Sequence, residues 1–68
     1  MKATYSHYLN VARRLYRGNK SLRKGQVYYS VLHDIRPDLA AAVNGTERDP
    51  FYDDSRLLTF LTFVMEKW

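Results

Sequence analysis

Residues 57–68 read LLTFLTFVMEKW, and whether that run is strand or helix decides the class of the fold. Its Phe and Thr residues suit a β-strand. The spacing does not: Leu57, Phe60, Leu61 and Val64 follow the 3.6-residue period of a helix, while strict apolar–polar alternation fails. Read as a helix over about Ser55–Lys67, the run places Leu57, Phe60, Leu61, Val64 and Trp68 on one face, flanked by Leu58 and Met65. Asp53 or Asp54, just upstream, supplies the cap.

The segments before it read as helices too. Thr46–Asp53 is the one real loop, with a turn at Asp49-Pro50. Pro37–Val43 is a short helix with proline at its first position, Asp38 in its first turn and Asn44-Gly45 as its stop. Pro37 disfavours α geometry at Arg36, which ends the preceding helix. That second helix is capped by Ser21 and runs to Ile35. Val27, Tyr28, Val31, Leu32 and Ile35 give it a broad apolar face, widened by Tyr29, as befits the central helix of a domain. Gly25 falls on the same side; glycine costs a helix about 1 kcal/mol against alanine, and its use here is the close approach of a neighbouring helix. The first helix spans about Thr4–Arg17, with Tyr5, Tyr8, Leu9, Ala12, Leu15 and Tyr16 on one stripe and Gly18-Asn19 as the stop. The expected fold is all-α: one domain over residues 1–68, a compact small bundle of three longer helices and one short helix.

A chain of 68 residues holds one domain at most. It buries only about 60% of its unfolded surface, so the core is thin. With no cysteine there is no disulfide framework, Cys-based zinc knuckle or thiol nucleophile. Met1–Leu9 lacks the apolar core of a signal peptide. The longest apolar stretch, Leu57–Met65, falls far short of the roughly 20 residues of a membrane span. The expectation is a soluble cytoplasmic protein with no membrane partner, in which Asn44-Gly45-Thr46 is a turn rather than a glycosylation site.

The net charge of +4 conceals an asymmetry. Residues 1–24 carry seven basic side chains and no acid: Lys2, Arg13, Arg14, Arg17, Lys20, Arg23 and Lys24. Residues 25–68 carry four bases and seven acids. Arg13, Arg14 and Arg17 share one face of the first helix, and with Lys20, Arg23 and Lys24 they can follow a phosphate backbone. Tyr5, Tyr8 and Tyr16 belong to the apolar stripe and read as core rather than as base-stacking platforms. A basic face is equally a solvated face or a site for an acidic protein patch.

Little in the chain suits catalysis. His7 and His33 lie on polar helix faces, and His33 and its neighbour Asp34 point about 100° apart, so no dyad is preformed. Glu47, Asp49, Asp53 and Asp54 cluster in the loop, but their spacing matches no calcium-loop pattern. Capping and turn formation account for them, so neither metal nor cofactor is expected. Phe51 reads as a lid folded back on the core. For Tyr52 that reading and the reading as an exposed interface anchor both stand.

Taken together, Arg23-Lys24-Gly25-Gln26, Tyr29, Leu32, Arg36-Pro37-Asp38-Leu39-Ala40, Gly45-Thr46, Asp49-Pro50-Phe51-Tyr52, Asp54, Phe60 and Trp68 resemble a group of short bacteriophage proteins of similar length. The resemblance covers about residues 23–68; Ser30 departs from it where asparagine is usual. The group has no established activity, so the resemblance assigns no functional residues. It implies a context, a small accessory protein made in an infected bacterial cell, and such proteins often bind host or phage machinery.

It also suggests reading Arg36, Asp38, Asp49 and Tyr52 together. In one reading Arg36 braces the loop by pairing with Asp49 or Asp53. In the other, Arg36, Asp49, Tyr52 and Asp53 form a recognition surface. The leading expectation is a non-enzymatic helical protein that docks on a host or phage protein and modulates it. The alternative is a nucleic-acid-binding accessory protein that uses Arg13, Arg14, Arg17, Lys20, Arg23 and Lys24. The thin core and many aromatics also allow two copies to pair through the faces of the second or last helix.

Overall fold

The computed structural model describes residues 3–68, so Lys2 of the basic third lies outside the described residues. Four helices follow one another: α1 (Tyr5–Gly18), α2 (Lys24–Ile35), α3 (Pro37–Val43) and α4 (Leu57–Lys67), the last entered through a 3₁₀ turn at Asp54–Arg56. Among the described residues there is no strand, and the run at 57–68 is helical as its period requires. No described helix is long and apolar enough to cross a membrane. The bundle measures 31 × 26 × 16 Å. Its short dimension admits only two layers of helix at their 8–10 Å packing distance.

α2 is the central helix and supplies the largest share of the core: Val27, Tyr28, Val31 and Leu32 are buried on it, with Gly25. Tyr8 and Ala12 of α1, Leu39, Ala40 and Val43 of α3, and Phe60 and Val64 of α4 close around them. The Tyr8 hydroxyl is satisfied within this core: Tyr8 is fully buried, and its O–H donates to the Tyr28 carbonyl at 2.8 Å. Trp68 joins the far ends of the chain. Its ring stacks on Tyr8, with centroids 5.5 Å apart, and its indole N–H donates to the Ala3 carbonyl at 3.0 Å.

Most helix ends follow from local signals. The Thr4 hydroxyl accepts from the His7 N–H at 3.0 Å and caps α1. Pro37 occupies the first turn of α3, and Gly45 takes the left-handed conformation, φ 75°, just beyond its end.

The start of α2 departs from its local signals. Ser21 does not cap it; α2 begins at Lys24, and Arg23 is the capping residue without a side-chain hydrogen bond of its own. The acceptor comes from across the molecule. Asp54 takes the Gly25 N–H at 2.9 Å, so a carboxylate expected to cap the last helix sits instead at the positive end of α2. Asp53 takes the local role, accepting from the Ser55 N–H at 3.0 Å. The close approach at Gly25 is made by a loop and not by a helix. A β-carbon there would overlap the Pro50 carbonyl oxygen and lie 2.8 Å from the Asp54 carboxylate. Leu15, expected on the buried stripe, is 42% exposed. α2 starts only at Lys24, and Leu22 in the turn between the two helices is likewise 41% exposed.

Gly25→Ala tests this contact by its sign. In an open helix the change gains about 1 kcal/mol. Here it should lose roughly 1–3 kcal/mol as the added methyl pushes against backbone. Urea unfolding followed by circular dichroism reads the difference. Asp54→Ala should lose about 1 kcal/mol through the same site.

Candidate functional site

The loop between α3 and α4 is built to hold one shape. Asp49 binds both of its arms, accepting from the Gly45 N–H at 2.9 Å and the Phe51 N–H at 3.0 Å, the side-chain turn that Asp before Pro favours. Pro50 is buried against Gly25. The Arg23 guanidinium reaches from the start of α2 to the carbonyls of Phe51 at 2.8 Å and Tyr52 at 3.1 Å. Arg56 adds a looser tie, 3.6 Å from Asp53 and 3.4 Å from the Thr46 carbonyl. Phe51 packs edge-on to Tyr29, ring centroids 5.7 Å apart, at the rim of the core rather than as a lid on the buried cluster itself.

Tyr52 is the residue this bracing presents. It is 79% exposed, its ring supported on one edge by Phe51 at 4.8 Å. With Asp49, Asp53, Thr46 and Arg56 it lines a shallow hollow of about 260 Å³. Three of the four residues read as a recognition surface, Asp49, Tyr52 and Asp53, are thus together.

Arg36 is elsewhere. It lies where α2 gives way to α3, in a separate hollow that it lines with Ile35, Asp38 and Trp68. Its guanidinium does not brace the loop through Asp49 or Asp53; it grips Asp38 with two hydrogen bonds of 3.0 and 2.9 Å. It also lies over the Trp68 ring, 5.1 Å from the centroid. The local partner prevails because residues two apart come together without ordering a distant loop.

The basic third is also divided. Arg13, Arg14, Arg17 and Lys20 are exposed. Arg23 is held by the loop carbonyls, and the Lys24 ammonium stands over the rings of Tyr16 and Tyr28, 6.0 and 5.8 Å from their centroids. His7 and His33 are both exposed. Among the described residues no group of three His, Asp or Glu side chains is placed to hold a metal ion. Three of the four loop carboxylates already have N–H partners: Asp49 at Gly45 and Phe51, Asp53 at Ser55, Asp54 at Gly25.

Two features escaped sequence reasoning. The first is the bracing role of Arg23, whose partners are backbone atoms and leave no mark in side-chain pattern. The second is how far the outer face of α4 stands open: Leu58 and Met65, placed as flanks of its apolar face, are 77% and 56% exposed. Its signal was present: from Leu57 to Met65 the chain carries no charge.

No family model, curated protein or solved structure matches the chain.

The Arg36–Asp38 pair gives a pH signature. The two hydrogen bonds from Arg36 hold the Asp38 carboxylate at about 2, below its ordinary 3.8. Because the folded value is depressed, the stabilisation is complete above pH 3.8 and disappears as the pH falls to about 2. Carboxyl NMR titration should place the Asp38 midpoint near 2 in the native protein and return it toward 3.8 in Arg36→Ala.

Proposed function

We propose that this chain is a small non-enzymatic accessory protein of the bacteriophage type its residues resemble, which acts in the bacterial cytoplasm by docking on a host or phage protein and modulating it. The observation that carries the reading is Tyr52: a large aromatic residue, 79% exposed, on a loop fixed by Asp49, Arg23 and Pro50. Tyrosine buries much area with few rotatable bonds, which favours it as an interface anchor. A loop already held in one shape loses little entropy on binding. Asp49 and Asp53 beside it give the contact a polar rim. The reading is of binding rather than catalysis because Asp49, Asp53 and Asp54 are already engaged in hydrogen bonds to backbone N–H groups.

A second reading has support of its own. Arg13, Arg14, Arg17 and Lys20 are exposed, and residues 3–24 contain no acid to neutralise them, so nucleic acid can be their partner. The support rests on these four, since Arg23 and Lys24 are engaged within the fold.

The test is retention of proteins from infected-cell lysate on the tagged chain and on its Tyr52→Ala variant. The expected outcome is a specific protein held by the native chain and lost from the variant, with a drop in affinity of roughly thirty-fold, about 2 kcal/mol. Both chains should give the same circular dichroism, since the Tyr52 ring is not part of the core. Capture of nucleic acid alone would transfer the conclusion to the second reading. In that case log K should fall against log salt with a slope near −3 for three phosphates, and replacing Arg13, Arg14 and Arg17 by Ala should abolish binding.

A further inference from the structure

A surface helix of a globular domain normally turns a charged face to water. α4 does not. It carries no charge from Leu57 to Met65, yet it lies on the outside of the bundle. Leu58, Thr62 and Met65, spaced i, i+4 and i+7, form an outward stripe about 10 Å long. Thr62 adds to its apolar character: its hydroxyl donates to the Leu58 carbonyl at 2.9 Å, so its hydrogen-bonding need is met inside the helix.

The stripe is one wall of a groove. Between α4 and α1 runs an open channel of about 400 Å³, with Leu9, Tyr28 and Leu61 among its lining. Its lining contains two charges, Arg13 and Lys24, and no acid. The two ion pairs among the described residues, Arg36–Asp38 and Arg56–Asp53, leave Arg13 without one.

We infer that this groove binds an amphipathic helix of a partner protein whose apolar face is bordered by acidic residues. The groove lies between helices, and an i, i+4, i+7 stripe is the pattern that another helix meets with apolar residues at the same spacing. The lip sets the polarity, since Arg13, exposed and in neither ion pair, offers an acidic border the counter-charge that nothing in the lining supplies, with Lys24 adding positive charge from its place over the tyrosine rings. A second copy of this chain is the poorer occupant. A two-fold contact sets identical patches against each other, and here that brings two basic lips together with no acid from either lining. The site is separate from the Tyr52 loop, and its test does not depend on that loop.

The probe is a pair of synthetic helical peptides of roughly 18 residues, long enough to form helix in water. Both carry leucines at the matching spacing. One has glutamates along the border of that face, the other lysines. Calorimetry at low salt measures affinity, and backbone amide NMR locates the site. The acidic peptide should bind at least ten-fold more tightly and shift the amides of Leu58–Met65. Arg13→Glu should reverse the preference. Leu58→Glu should weaken binding ten-fold or more. Tyr52→Ala should change nothing, which separates this site from the loop. Leu58 and Arg13 are exposed, so both variants should keep the native circular dichroism. Equal affinity for the two peptides, amide shifts elsewhere, or loss of binding in Tyr52→Ala would each overturn the inference. So would sedimentation showing that the chain pairs with itself through Leu58 and Met65.

Discussion

Where α2 begins, the Pro50 carbonyl lies so close to Gly25 that no β-carbon fits between them, and much of the structure depends on that approach. It brings Asp54 within reach of the Gly25 N–H and sets the Phe51 and Tyr52 carbonyls before the Arg23 guanidinium. The start of the central helix and the end of the long loop are therefore one interlocked unit. Asp54 opens the 3₁₀ turn that leads into α4, so the same contact also fixes where α4 sets out across the bundle. For a domain with so thin a core, polar ties of this kind do work that a larger protein leaves to apolar area.

The two halves of the chain exchange charge across that junction. Bases of the N-terminal third serve the fold: Arg23 binds loop carbonyls and Lys24 rests over tyrosine rings. An acid of the C-terminal part caps a helix of the other half. What remains at the surface is sorted by place. Arginines free of the fold line α1, an apolar stripe lies along α4, and one tyrosine stands on the braced loop. Each suits a different contact, and all three fit on a molecule 31 Å long.

Legibility in the sequence followed the range of the interactions. Pro37 and Asn44-Gly45 act within a turn of where they stand, and the bounds of α3 could be read directly from them. The period of Leu57, Phe60, Leu61 and Val64 was enough to choose helix over strand. Ser21 misled because a good local cap was present while the acceptor used belongs to Asp54, 29 residues from Gly25. Gly25 announced a close approach but could not name the approaching group. Leu15 fitted the stripe of α1, yet periodicity says which way a side chain points and not whether anything lies opposite. The site was legible in the same measure: Asp49, Tyr52 and Asp53 are neighbours in sequence and in space, whereas Arg36 found a nearer acid in Asp38.

The bond from the Trp68 indole to the Ala3 carbonyl spans 65 positions of the chain. Contacts between α1 and α2, and between α2 and α3, join segments adjacent in sequence and can form as the polypeptide emerges from the ribosome. The stack of Trp68 on Tyr8 cannot. Until residue 68 has cleared the exit tunnel, one side of Tyr8 lacks its cover and the Arg36 guanidinium lacks its ring. Closure of the bundle therefore waits on the end of α4, and a chain that has not yet emerged that far exposes aromatic surface that the folded one conceals.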